Sequence, residues 1–365
     1  MKKLVYSAIA LTLGSVPALA SDNGWSGLDK EIEGLTSSLA ADKGAGPKIG
    51  GWVITSYRDS SDLDGDSGTA GDQKQSGFQF ESVRLEVTGD VGDYGYKISF
   101  DAKSGNEDGH ASSPNGNLQL KDAYATWKIA DSVSGKLGRF KEPLIRSALV
   151  SDNRLLFLDR TGLGEILGSR DLGAMLYGGV DLLNWYAAFQ DGADGQGSEH
   201  KYTLRLTANI VGNGTGMVEG AYGAGDETNL SVGVAYQDDT TLDKGTIIVG
   251  EASMTMGPFA IAAEIADFDD GTAGAFGKTL FVNDVAGSTP WDVTASFRIT
   301  DQYEVAGRYQ DADDNDNTSS YALGVNRYEQ GHGHDIKWQA QWQEVFTDNA
   351  VGDASQFAIG LAVSF

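Results

Sequence analysis

From residue 48 onward, hydrophobic and polar positions alternate almost one for one. Tyr202, Leu204, Leu206, Ala208 and Ile210 fall on one face, while Thr203, Arg205, Thr207 and Asn209 fall on the other. Successive strand side chains point to opposite faces, so the stretch predicts a strand with one apolar and one polar side. Trp291, Val293, Ala295, Phe297 and Ile299 repeat the pattern, as do Ile336, Trp338, Ala340 and Trp342. Phe357, Ile359, Leu361, Val363 and Phe365 end the chain in the same way. The pattern gives sixteen candidate strands, starting near residues 48, 77, 93, 117, 132, 169, 181, 200, 229, 245, 257, 288, 302, 319, 333 and 355. Strands 1, 5 and 10 have ambiguous phase. Strands 2 and 4 switch phase partway, as a bulge would cause.

The gaps alternate short and long. Short ones fall at 90–92, 130–131, 180–181, 256–258 and 300–301; long ones at 104–116, 142–168, 191–199, 268–287, 311–318 and 345–354. One gap, 211–228, is long where a short one is expected. Short turns at one end and long loops at the other are the signature of an outer-membrane barrel, and an even strand count puts both termini on the short-turn side. Pro47, Pro114, Pro143, Pro258 and Pro290 lie at strand edges or in connections, where no ladder hydrogen bond is lost.

A soluble β-sandwich also alternates, so three further features decide. Aromatics gather near strand ends on the apolar faces, among them Tyr94, Trp127, Trp185, Tyr202, Trp291, Tyr303, Trp338 and Trp342, as interfacial girdles require. The clear apolar faces carry no charge; Arg327 is an exception by parity, close enough to a turn to snorkel. The opposite faces are rich in Thr, Ser, Asn, Gln and charge. Lipid tolerates no open sheet edge, so the sheet must close. The expected fold is all-β: a transmembrane antiparallel β-barrel of about sixteen strands, wide enough for an aqueous lumen.

The first residues differ from this pattern. Lys2 and Lys3, the apolar stretch 4–13 and Ala18-Leu19-Ala20 read as a signal peptide over 1–20. In the leader 21–47, Trp25, Leu28, Ile32, Leu35 and Leu39 are spaced as a heptad seam. The readings are a short periplasmic coiled coil, a helix lying on its own barrel, or a mostly disordered leader. The barrel domain is expected over 48–365.

Composition narrows the function. The 365 residues include no Cys, which removes disulfide scaffolds and most structural zinc and iron–sulfur sites. A net charge of −25 argues against nucleic acid as a partner. Glycine, at 49 residues, is roughly twice its usual share.

An ordered set of fragments over 81–173 resembles the phosphate-selective porin O and P family of Gram-negative outer membranes. These are Ser82-Val83-Arg84-Leu85, Tyr94-Gly95-Tyr96-Lys97, Leu120-Lys121-Asp122-Ala123-Tyr124 and Gly138-Arg139-Phe140-Lys141-Glu142-Pro143, then Phe157-Leu158-Asp159-Arg160 and Gly168-Ser169-Arg170-Asp171-Leu172-Gly173. Leu323-Gly324-Val325-Asn326-Arg327-Tyr328 is similar to the family's strand near the C-terminus. The resemblance implies a homotrimeric porin of sixteen strands whose third long loop, here 142–168, folds into the lumen as a constriction. Phe365 resembles the terminal aromatic that such barrels present to the outer-membrane assembly machinery, and lipid and lipopolysaccharide are the implied surroundings. The sequence departs from the family in two ways. Asp159 stands where Glu is usual, and the basic ladder of phosphate-specific members is not evident.

Charges that phase inward are nearly balanced. Arg84, Lys97, Lys103, Lys128, Arg205, Arg298, Arg308 and Lys337 face Glu86, Asp101, Asp122, Asp171, Glu264, Asp292 and Glu304. In the constriction loop, Arg146, Arg154 and Arg160 stand with Asp152, Asp159 and Glu165. Charge rings set ion preference in pores, so this wall predicts a weak one. The excess acid lies in connections such as Asp59, Asp62, Asp64 and Asp66, or Asp311, Asp313, Asp314 and Asp316, which tilts the mouths toward cations. The expected function is passive diffusion of small hydrophilic solutes and ions. The alternatives are a phosphate or oxyanion channel, and a closed structural or adhesive surface barrel.

No cofactor, resident metal or reaction is expected. Asp62-x-Asp64-x-Asp66 begins like an EF-hand loop, but Ser67 and Gln73 occupy the positions that need Gly and Glu. Loose divalent-cation binding there remains open, as does weak binding at His332-x-His334. None of the four histidines is placed beside a strand Ser, as a barrel hydrolase would need.

Overall fold

The computed structural model describes residues 46–61, 75–103, 117–192, 200–239, 245–269, 286–348 and 353–365. The expectations for the signal peptide and for the 25–39 heptad lie outside these residues, as do Asp62, Asp64 and Asp66.

Sixteen antiparallel strands close into a barrel. They are β1 (Lys48–Ser61), β2 (Gln75–Val91), β3 (Tyr94–Lys103), β4 (Asn117–Ala130), β5 (Val133–Lys141), β6 (Arg170–Val180), β7 (Leu183–Gln190) and β8 (Lys201–Val211). β9 (Thr228–Asp239), β10 (Gly245–Met256), β11 (Phe259–Phe268), β12 (Trp291–Arg298), β13 (Tyr303–Asp311), β14 (Ser319–Glu329), β15 (Gly333–Phe346) and β16 (Ala354–Ser364) follow. Each strand starts within three residues of its expected position. Every strand pairs with its neighbours in sequence, and β1 pairs with β16 to close the cylinder. The seam ends in a two-way backbone bond: Gly51 N donates to Phe365 O at 3.1 Å, and Phe365 N donates to Gly51 O at 3.0 Å.

The two faces sort as the alternation requires. On β8, Leu204 and Leu206 are 57% and 54% exposed, while Arg205 between them is 2% exposed. Leucine outward and arginine inward is the reverse of a soluble protein and fits a barrel with lipid outside. Arg327 sits on the outward face by register, across from Tyr303 and Trp338, with Glu329 3.2 Å from its guanidinium.

The phase switches of strands 2 and 4 are bulges. Ile54 pairs with Ser82 but Thr55 with Phe80, which leaves Glu81 extra. Ser99 pairs with Asp122 but Phe100 with Leu120, which leaves Lys121 extra. Each bulge adds a charged residue without turning the apolar face away from lipid.

The inner wall is not polar throughout. Ala235, Ile247, Val249, Ala266 and Phe268 of β9–β11 are buried and pack on Leu144, Ile145, Ala148, Leu163 and Leu167 from the β5–β6 connection. Strand 10 was ambiguous in phase for this reason: the outward Ile248 stands between Ile247 and Val249, which another segment of the chain covers.

Candidate functional site

The β5–β6 connection carries two short helices, α1 (Arg146–Leu149) and α2 (Gly162–Ile166), and a 3-10 turn, Asp152–Arg154, between them. Thr161 caps α2 by accepting from Gly164 N at 3.0 Å. The chain between these elements is held by inward-facing wall residues. Leu158 N donates to Gln341 Oε1 at 2.7 Å, Asn326 Nδ2 donates to Leu156 O at 2.9 Å, and Lys337 Nζ donates to Leu155 O at 2.5 Å. Gly360 on β16 leaves room for this approach; a Cβ there would lie 2.6 Å from Leu158 Cδ2 and 2.9 Å from Thr55 O. The segment is thus bonded to the inside of β14 and β15 and lies close against β16. Buried side chains have replaced water as the partners of its backbone.

Nearly every cation at this contact meets a carboxylate. Arg58 grips Asp159 through two bonds, Nη1 to Oδ2 at 2.8 Å and Nη2 to Oδ1 at 2.7 Å, and also donates to Glu81 at 2.7 Å. Arg84 grips Asp101 at 2.9 and 2.8 Å, lies 3.7 Å from Asp152, and stacks 4.8 Å over the Trp52 ring. Arg160 bonds Asp152 and donates to the carbonyl of Val150 at 2.5 Å. Two-pronged guanidinium–carboxylate contacts of this kind fix geometry as well as charge.

The other expected residues divide into two groups. Glu86 and Lys97 pair with each other at 2.6 Å. Asp122 accepts from Ser99 at 2.7 Å and from Arg170 at 2.9 Å. Arg205 bonds Glu251 at 2.5 Å, Glu264 accepts from Ser147 N at 2.8 Å, and Asp292 lies opposite Glu264 in the ladder. Arg308 donates to Asp159 O at 2.9 Å, and Glu304 accepts from Tyr328 at 2.7 Å. Arg146 donates to Val218 O at 2.5 Å. These residues converge on the interior.

The rest do not. Lys128 is exposed at the end of β4 and bonds Asp131 of the adjacent turn at 2.8 Å, so it belongs to the rim and not to the wall. Strand parity alone could not show how far along the barrel it sits. Arg298, at the end of β12, lies 3.6 Å from Asp226, also near the short-turn end. Asp171, at the start of β6, is half-buried and accepts from Leu172 N at 2.8 Å. Glu165 is exposed on α2. Arg154 is exposed and pairs with no carboxylate among the described residues. The side chain of Lys103 lies outside the described residues.

Arg58, Glu81, Glu142, Lys136, Lys201, Glu219 and Glu251 were missed. Arg58, Lys136 and Glu251 sit in the three strands of ambiguous phase, and Glu219 sits in the one gap that broke the short–long rule. Lys201 shares parity with Arg205 and was readable; it bonds Glu142.

Burial alone would raise the Asp152 carboxyl, but the Arg160 and Arg84 guanidiniums outweigh it and hold the group well below the usual carboxylate range. A carboxylate depressed in the folded state stabilises above its unfolded value, and that contribution goes as pH falls through the folded value. The loop anchor is therefore expected to hold from pH 7 down through about 4, where free aspartate titrates. It loosens only in stronger acid. Comparing the onset of single-channel flicker with falling pH in the wild type and in Asp152→Asn checks this, and the same onset in both would remove Asp152 as the anchor.

No group of three or more His, Cys, Asp or Glu among the described residues is placed to hold a metal ion.

A model of the family described as "Phosphate-selective porin O and P" matches residues 57–345. No curated protein sequence matches the chain. Among solved structures, OprB of Pseudomonas putida aligns at TM-score 0.59 and 12% identity, over 92% of this chain and 97% of that one. OmpF of Salmonella typhi, solved with daunomycin, aligns at TM-score 0.58 and 14% identity, over 88% and 98%. An anion-selective porin from Comamonas acidovorans aligns at 0.55 and 13%, over 88% and 100%. These structures share the fold, and the family match spans most of the chain, from β1 to β15. A closed sixteen-stranded barrel with an apolar exterior and a charged interior therefore belongs, with this chain, to the phosphate-selective porin O and P family of Gram-negative outer-membrane channels.

Proposed function

We propose that this porin passes small hydrophilic solutes and ions by passive diffusion, narrowed by the 142–169 loop, and that it holds no dedicated phosphate site. One observation carries the reading: the arginines that would form an oxyanion ladder are already bound to carboxylates. Arg58, Arg84, Arg160, Arg170, Arg205 and Arg308 each have an acidic partner within 4 Å. A phosphate would have to displace a carboxylate at each of these six arginines. The acidic connections, such as 311–316, leave a mild preference for cations. The channel carries out no reaction. It works as a homotrimer, and the exposed Phe365 is the contact for barrel assembly.

The test is the single-channel reversal potential in a planar bilayer under a KCl gradient. Large steps with a weakly cation-selective reversal, unmoved by added phosphate, are expected. An anion-selective reversal that collapses with phosphate would overturn the absence of an oxyanion site, and no conductance would overturn the channel itself.

A further inference from the structure

The connection between β8 and β9, residues 212–227, lies at the end of the barrel that carries the short turns. It does not run along the rim. Its first half bonds back to nearby strands: Asn213 N donates to Asn229 Oδ1 of β9 at 2.9 Å, and the Thr215 hydroxyl meets that of Ser253 on β10 at 2.6 Å. Its second half reaches across the interior. Glu219 Oε2 accepts from Leu156 N at 2.9 Å, and Glu219 N donates to Arg154 O at 3.1 Å. Ala221 N donates to Glu304 Oε1 at 2.6 Å, and Tyr222 stacks on the inward Tyr328 at 3.6 Å and 14°. Arg146 closes the contact from the other side, donating to Gly216 O at 3.0 Å and Val218 O at 2.5 Å. Gly220, with φ 91°, makes the crossing possible; a Cβ there would lie 2.7 Å from both Glu304 Oε1 and Leu156 Cδ2.

This coverage is lopsided. Inward residues of β10–β15 near the short turns, such as Ser253, Thr255, Asn326, Tyr328 and Lys337, are buried. At comparable depth on β2–β7, Glu86, Lys97, Tyr124, Lys136, Tyr177 and Tyr186 are only half-buried. Lys136 faces three rings, with Nζ 4.5 Å from the centroid of Tyr124, 5.3 Å from that of Phe140 and 5.6 Å from that of Tyr177. No carboxylate lies within 4 Å of it among the described residues.

We infer that 212–227 is a second constriction element, entering from the short-turn end. Together with the 142–169 loop it seals the lumen along β10–β15 and confines permeating solutes to the wall of β2–β7. Solutes then pass the Lys136–tyrosine patch, whose ammonium and ring faces select among anions for those with a flat apolar body. This rests on the channel reading above.

The chain has no Cys, so single thiols give a clean readout. Lys136→Cys and Ser253→Cys are recorded in full-length channels before and after a charged methanethiosulfonate. The Lys136→Cys step is expected to fall by at least half, while the Ser253→Cys step is unchanged. Equal modification of both would overturn the inference, as would no effect at Lys136→Cys. A second variant replaces 213–226 with a two-residue Asn-Gly turn. Its step should at least double, and Ser253→Cys in that background should become reactive. An unchanged step in a folded shortened barrel would overturn the sealing role; if the shortened barrel fails to fold, the full-length thiol pair decides. A wild-type protein without any steps would instead refute the channel reading.

Discussion

Replacing Asp152 and Asp159 together with Asn is expected to reverse the ion preference of the channel. Both residues belong to the segment bonded inside the barrel, and their partners are Arg58, Arg84 and Arg160. Asn keeps the shape and the acceptor oxygen but removes two negative charges. Arg58 retains Glu81 and Arg84 retains Asp101, so neither is stranded. Among the described residues Arg160 loses its one carboxylate partner and becomes an uncompensated cation on the loop. A unit charge about 4 Å away is worth ~4 kcal/mol at an effective dielectric near 20. Even after screening by salt cuts this to a third, the remainder is about tenfold in relative ion occupancy. The reversal potential under a KCl gradient should change sign toward anions. A variant with wild-type steps and wild-type reversal would show that these carboxylates do not face the ion path.

The second large effect is expected at Val249→Asp. Val249 is fully buried on the inner wall, with Ala235 and Ala266 beside it in the ladder and loop leucines above it. A carboxylate there has no partner in reach within that apolar cluster, at a cost of several kcal/mol. The barrel itself depends on backbone ladders that the substitution leaves alone, so the folded form should still migrate as a compact species before heating. The loop loses its apolar seat. Steady single-channel steps are expected to give way to rapid flicker between sub-states. Quiet steps of wild-type size would mean that the polar anchors at Gln341, Asn326 and Lys337 hold the loop without the apolar contact.

The barrel was legible because each strand has one face in lipid and one in the lumen, and period two records that contrast directly. It was least legible where a second layer of chain covers the lumen face. On β10, Ile247, Ile248 and Val249 look alike in sequence, since only the structure distinguishes lipid from a covering loop. The same cause hid Glu251, which lies two residues further along that strand. The site was legible as a list of inward charges but not as pairs, because partners such as Arg58 and Asp159 are 101 residues apart. Depth was also hidden: parity gives Lys128 and Asp122 the same face, yet one is on the rim and the other is buried. The 212–227 segment announced itself only as a misfit in loop length; its glycine content was visible, but nothing local said that it turns inward.

The bond between Arg146 and the carbonyls of Gly216 and Val218 joins two segments that enter from opposite ends of the barrel. Outer and inner mouths are therefore not separate modules. Widening one by trimming its loop removes the support of the other, and paired changes at Arg146 and Glu219 should not add as independent sites do. Anyone re-engineering this pore to a new size would have to treat both entrances as a single part.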